Sequence, residues 1–189
     1  IIDGQDIAQA STSPLRQAIG GVQQDPFLFT AAVDHNVAYA APSAGMDQIV
    51  QASTDAQIHS FIEELPKNYQ TLVGEDGVSL SGGQKQRISI ARGTLTDAPI
   101  LIFDDATAAI DAGTEQYIRR ALKERAGTHT TIIISHRLVS MMHADEILFL
   151  DEGRIVERGT HKQLLALRER YFALHSLQLR DENQLAPLN

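Results

Sequence analysis

The chain has 189 residues and no cysteine. It can therefore form neither a disulfide framework nor a thiolate site, a composition that fits a reducing compartment. No apolar run approaches the ~20 residues needed to span a bilayer. The opening residues are neither basic nor followed by an apolar stretch, so no signal peptide is expected in them. Basic residues are the minority, 16 against 24 acidic, for a net charge of −8. That balance argues against a broad nucleic-acid or anionic-membrane surface. The 7 histidines come without cysteines or a close His/carboxylate spacing, which sets a zinc site aside. Also missing is any Gly-Lys pair. The lysines follow Pro66, Gln84, Leu122 and His161, so the phosphate-gripping pattern G-x-x-x-x-G-K-[ST] does not occur. There are no internal repeats and no low-complexity segments.

The length is enough for one domain with a real core, and its most informative part lies between residues 78 and 105. Ser81 and Gln84 have the S-x-x-Q spacing of a capping box, which sets a helix start. Ile88, Ala91 and Leu95 then recur at the period of a helix with one buried face. Gly82 and Gly83 leave backbone N–H groups uncovered at the positive end of that helix, a ready site for a phosphate. Residues 100–103, Ile-Leu-Ile-Phe, read as a strand buried on both faces. Asp104 and Asp105 follow at its carboxyl end, where α/β folds place ligands. A capped helix start is common, and two aspartates after a strand usually make a turn or a cap. In this order and this close together they are far more specific.

Here the chain resembles the nucleotide-binding domain of ATP-binding-cassette (ABC) transporters. Residues 80–84, Leu-Ser-Gly-Gly-Gln, match the family's signature motif, and residues 100–104 match its Walker B strand. The resemblance implies an α/β, P-loop NTPase-like ABC ATPase domain, incomplete at the N-terminus, with an inserted helical subdomain. It implies ATP and Mg2+ as cofactors, with Asp104 toward the metal and Ser81, Gly82, Gly83 and Gln84 toward nucleotide. Each composite site would pair one chain's Walker residues with the signature of a second ABC ATPase domain.

Other windows carry the same resemblance. Residues 24–29, Gln-Asp-Pro-Phe-Leu-Phe, resemble the Q-loop of exporters. Gln24 matches better than Gln23 because it stands directly before Asp-Pro, and would touch the metal and the attacking water. Residues 71–77 resemble the exporter x-loop, with Glu75 as its acidic contact to the coupling helices of a transmembrane domain. Residues 108–111 are Ala-Ala-Ile-Asp where the family's D-loop has Ser-Ala-Leu-Asp, so Asp111 is kept and the serine is not. Ser135-His136-Arg137 resemble the H-switch, whose histidine, here His136, senses the terminal phosphate. The implied whole is an ATP-hydrolysing exporter on the cytoplasmic face of a membrane, with its transmembrane domain in the same chain and no nucleic-acid partner.

The expected organisation is a remnant of the first half of the ATP-binding core over 1–24, then the Q-loop, helical subdomain, x-loop and signature helix over 25–95. The second half of the core covers 96–163, and a C-terminal helix and tail cover 164–189. Residues 1–4 read as a strand end and turn, and 15–22 as a short strand. A helical pattern from 30 to 65 is broken at Pro42, Ser43 and Gly45. A helix is expected over 113–125 with Tyr117, Ile118, Ala121 and Leu122 on one face, and a buried strand over 130–134. Residues 147–157 suggest a hairpin turned by Gly153. A capping box at Thr160 and Gln163 opens one last helix with Leu164, Leu167, Tyr171, Leu174 and Leu177 on its apolar side.

Two departures from the family matter. Without the lysine loop, and opening at Ile1 with no methionine, the chain reads as part of a longer polypeptide, truncated before or at Walker A. By itself it is expected to be aggregation-prone and nearly inert as an ATPase. The second departure is Asp105, where the family usually has the glutamate that polarises the attacking water. Aspartate is one methylene shorter, and a misplacement on the order of 1 Å can cost about 10²-fold in rate. An intact signature beside an altered Asp105 suggests a regulatory half of a heterodimeric exporter, while the retained Gln24 and His136 oppose that. A soluble ABC ATPase acting on DNA or ribosomes fits the acidic balance poorly.

Overall fold

The computed structural model describes residues 1–74, 77–107, 109–124 and 129–185, the side chains of 181–185 excepted. They form two units, Ile1–Ile134 and Ser135–Asn189, each described by itself. The first opens with a tight turn closed by paired Ile2 and Gln5, with Asp3 and Gly4 at positive φ, as the Asp-Gly pair suggests. Helix α1, Thr12–Gln17, comes next. Its Pro14 sits in the first turn, where a missing N–H costs nothing. This helix corrects the strand expected over 15–22, which is confined to β1, Ile19–Val22.

β1 leads into the helical segment, where a two-residue strand β2, Ala31–Ala32, pairs antiparallel with β3, Leu72–Val73. Between them lie α2, Val33–Val37, α3, Met46–Asp55, and α4, His59–Glu63, with the chain turning at residues 41–45 as its Pro-Ser-Gly content indicates. The capped helix is α5, Gly82–Leu95. It packs against β1 on one side and α2 and α3 on another. Gln86, Ser89, Ile90, Gly93 and Thr94 are therefore buried along with Ile88 and Ala91. This corrects the single buried face drawn from periodicity, which sees only the apolar residues of a helix packed between layers.

The sheet's centre is β4, Ile100–Asp104, parallel to β1 on one side and to β5, Thr130–Ile134, on the other. Leu101 and Phe103 are buried, whereas Ile100 and Ile102 are half-buried. The strand is thus covered fully on one face only, a correction to the two-faced burial expected. β5 is also corrected. It lies at the edge of the sheet, with Ile132 44% and Ile134 52% exposed. Its β-branched residues favour a strand without saying whether that strand is central. Helix α6, Ala112–Glu124, buries Ile118 and Glu115 and half-buries Ala121 and Leu122. Tyr117 points outward at 62% exposure, against the expected face.

The second unit begins with a short helix α7, Leu138–Met141. Next come antiparallel strands β6, Ile147–Asp151, and β7, Arg154–Gly159, joined through Glu152 and Gly153, both at positive φ. Thr160 and Gln163 form the expected capping box of α8, His161–Leu167. The single last helix is corrected to two, because Arg168 turns to φ 58 and α9, Arg170–Leu185, starts afresh. Leu164 and Tyr171 are fully buried with Leu138 and Ile147, and Leu174 packs against them. Leu167 and Leu177 are exposed. No helix of the described residues is long and apolar enough to cross a membrane.

At Gly93, α5 has no room for a side chain toward the sheet: an added Cβ would lie 2.5 Å from Val22 Cγ2. Gly93→Ala gains up to ~1 kcal/mol of helix propensity, but overpacking against a β-branched strand residue costs about 1–3 kcal/mol. The net expectation is a lowered urea midpoint at unchanged slope; an unchanged or raised midpoint would show that β1 and α5 can part.

Candidate functional site

Three strand ends define the site's edge. The parallel register sets Val22 beside Phe103 and Asp104 beside Ile134. The chain thus leaves β1 toward Gln24 at the same edge where β4 delivers Asp104 and Asp105, the carboxyl edge of the sheet. Asp104 is exposed; Asp105, one residue on, is 7% exposed. Asp105 has φ 45, a left-handed conformation that aspartate tolerates better than most residues. Its N–H donates to the Ile134 carbonyl at 2.7 Å, which ties the turn after β4 to the end of β5. His136 lies in the second unit and is exposed.

The helix start forms as expected. Ser81 Oγ accepts from the Gln84 N–H at 3.3 Å, and Gln84 Oε1 accepts from the Ser81 N–H at 2.8 Å. The glycines are there for a steric reason too. A Cβ on Gly83 would stand 2.8 Å from the Ala109 carbonyl oxygen, and one on Gly82 3.7 Å from Ala109 Cβ. The segment holding Ala109 therefore rests directly on the two glycines. Asp111 closes that segment and caps α6, its Oδ1 accepting from the Thr114 N–H at 2.9 Å. The Thr114 backbone N–H, and then its hydroxyl, hold the Asp111 carboxyl below its ordinary range. Glu75 falls outside the described residues.

Several residues that hold these segments carry no motif. Gln86, 4% exposed, donates to the Gln24 carbonyl at 3.2 Å and accepts from the Ala109 N–H at 3.0 Å. Arg92 donates to the carbonyls of Asn36 at 2.7 Å and Phe27 at 3.0 Å, and to Asn36 Oδ1 at 3.1 Å. Asn36, fully buried, accepts from the Phe29 N–H at 2.9 Å and donates to the Phe29 carbonyl at 3.0 Å. Burial pushes the Arg92 guanidinium pKa down, and nearby Tyr39 pushes it back up. In the second unit, Gln178 donates to the His136 carbonyl at 2.6 Å and accepts from the Leu138 N–H at 3.0 Å. Gln86 lies in the polar run 84–87, Gln-Lys-Gln-Arg, and Arg92 between Ala91 and Gly93, and neither has a spacing that marks it in the sequence.

Among the described residues, no group of three or more His, Cys, Asp or Glu could hold a metal ion. The donor set at the strand ends is instead one exposed carboxylate, Asp104, with Asp105 and the Gln24 loop at the same edge. That fits Mg2+, which is commonly held by one or two carboxylates together with substrate phosphates.

The parallel sheet with carboxylates at the end of its central strand and a glycine-started helix beside it has the α/β arrangement of an ABC ATPase domain. Residues 1–108, more than half of the chain, match the family model described as ABC transporter, and the chain belongs to that family. It is 48% identical over 180 residues, 95% of its length, to the ABC transporter ATP-binding protein YknU of Bacillus subtilis. It is 45% identical over 96% of its length to an ATP-dependent lipid A-core flippase of Chromohalobacter salexigens. Among solved structures it matches a bacterial Atm1-family ABC exporter with ATP bound, at TM-score 0.90 and 44% identity over 94% of this chain. The chain spans 31% of the length of each of these proteins.

The Asp111 cap gives a pH prediction. A carboxyl with a lowered folded pKa adds stability that is complete above the ordinary carboxylate pKa and is lost as pH falls through the lowered value. Asp111→Asn keeps an acceptor for Thr114 but does not titrate. Urea midpoints measured from neutral pH into the acid range should therefore fall less steeply for Asp111→Asn than for the native chain. Ser81→Ala should cost about 1 kcal/mol at every pH.

Proposed function

We propose that the chain is the part of an ABC exporter's ATPase domain that carries the Q-loop, signature, Walker B, D-loop and H-switch, and that it couples ATP-driven dimerisation to export. The observation that supports this most is the shared carboxyl edge at which β1 leads to Gln24 and β4 ends in Asp104 and Asp105. Mg2+, when bound, neutralises charge that builds on the phosphates during transfer. Asp104 would hold that ion, and Gln24 would reach the ion and the attacking water from the neighbouring strand. Asp105, fixed by its backbone bond to Ile134, would orient that water. His136 would contact the terminal phosphate. Ser81, Gly82, Gly83 and Gln84 would offer their helix start to the nucleotide of a second ABC ATPase domain, with Asp111 beside them.

A surface cluster fits a membrane-domain partner. Phe27 is 64% and Tyr39 60% exposed, and Phe29 stacks on Tyr39 at 4.2 Å between ring centroids. The Arg92 guanidinium lies over both the Phe29 and Tyr39 rings. An aromatic patch just after Gln24 would let the transmembrane domain of the same transporter grip the Q-loop, with the Glu75 loop as second contact. These roles place the domain on the cytoplasmic face of the membrane. The names of the relatives, which include a lipid A-core flippase and putative multidrug export proteins, leave the cargo open.

The second reading is a regulatory half of a heterodimeric exporter, favoured by Asp105 alone. These residues hold no lysine loop, so by themselves they should hydrolyse ATP weakly at most. In the full-length protein, Asp104→Asn should lower Mg2+-dependent ATPase about 100-fold or more. Asp105→Glu should raise it by about 10- to 100-fold if the short carboxylate limits the step. Activity that survives Asp104→Asn would remove the proposed role. No gain from Asp105→Glu would assign the slow step elsewhere.

A further inference from the structure

The bonds around α5 hold the Gln24 loop at several points and the Ala109 segment at one. Along the Gln24 loop, Gln86 takes the Gln24 carbonyl, Arg92 takes the Phe27 carbonyl, and Asn36, itself bound by Arg92, takes both backbone groups of Phe29. On the other side, the same Gln86 amide takes the Ala109 N–H. Gln24 and Ala109 are 62 and 23 residues from Gln86 in the chain. Both bonds use one planar group that is almost fully buried, so neither loop can withdraw without leaving a buried polar atom unpaired. The Ala109 carbonyl oxygen lies 2.8 Å from where a Cβ on Gly83 would stand, so the segment sits against a position that only glycine leaves open.

We infer that Gln86 is a positioning residue that makes the Gln24 loop and the 109–111 segment move as one body with the signature helix. The inference rests on the proposed function for what those loops serve. The first loop carries Gln24 for the chain's own nucleotide and meets the membrane domain; the second carries Asp111 beside the signature, which serves the partner domain's nucleotide. A single side-chain amide then links the two composite sites within one chain. The chemistry demands glutamine. Its NH2 donates to a carbonyl while its oxygen accepts from an N–H. Glutamate can satisfy only the second bond, methionine satisfies neither at nearly equal volume, and asparagine is one methylene too short.

The test is amide hydrogen exchange on the full-length protein, followed for segments 22–29 and 109–111, with 46–55 as a control, with and without Mg2+ and ATP. Gln86→Met should speed exchange in both loop segments by about 10-fold, the loss expected when buried bonds are removed, and leave 46–55 unchanged. Gln86→Glu should loosen 22–29 while 109–111 stays protected. Both variants should lower kcat more than they raise KM. Loosening of one loop only by Gln86→Met, or of neither, overturns the inference. If Gln86→Met also loosens 46–55, the protein has opened globally and the split seen with Gln86→Glu decides; equal loosening of both loops by Gln86→Glu then overturns it. A separate outcome concerns the function. If ATP protects neither loop in the native protein yet the variants behave as described, the linkage holds and the nucleotide roles of the loops do not.

Discussion

The near contact of Gly93 with Val22 sets the distance between α5 and the parallel sheet, and most of the site inherits its geometry from that distance. With no side chain on the helix at Gly93, α5 lies close enough to β1 for Gln86 to reach the Gln24 carbonyl just past the strand's end. The same placement turns Gly82 and Gly83 toward Ala109. A longer separation would leave the buried amide of Gln86 and the guanidinium of Arg92 without their backbone acceptors, at about 1–3 kcal/mol for each unpaired group. The helix is therefore fixed by polar bonds at its edges as much as by the apolar contacts of Ile88, Ile90 and Ala91.

This arrangement divides the work of the site between strands and helix. Parallel strands deliver carboxylates and the glutamine loop to one edge, where under the proposed function they would meet a metal and phosphates. The helix start offers N–H groups and small residues that a partner's nucleotide can approach closely. Membership of the ABC transporter family accounts for why both halves occur in one chain. The side-chain bonds of Gln86 and Arg92 then give those halves a mechanical connection that motif residues alone would lack.

Much of this was legible in the sequence because it rests on local rules. The Ser81–Gln84 and Thr160–Gln163 boxes, the hairpin turned at Gly153, and the Asp104 strand end each follow from spacing and residue type, and each is present. The errors arose where burial depends on neighbours distant in sequence. β5 has the composition of a buried strand but sits at the sheet edge, and Tyr117 shares a helical period with Ile118 yet faces out. Residues 15–22 read as one strand from Leu15, Ala18, Ile19 and Val22, but 15–17 end a helix whose first turn Pro14 suits. Gln86, Arg92 and Gln178 escaped notice because polar side chains that bond mainly backbone groups leave no pattern; their partners can be any residue.

The central claim is that these residues are one portion of an ABC ATPase site whose phosphate grip lies in a lysine-bearing loop. The most direct measurement is titration of Mg2+ and ATP into the 189-residue chain and into a longer form of the domain that includes such a loop. The account predicts binding by the longer form only. Tight binding by the 189 residues alone, undiminished by Asp104→Asn, would contradict it, because the phosphate site would then lie outside the groups assigned here.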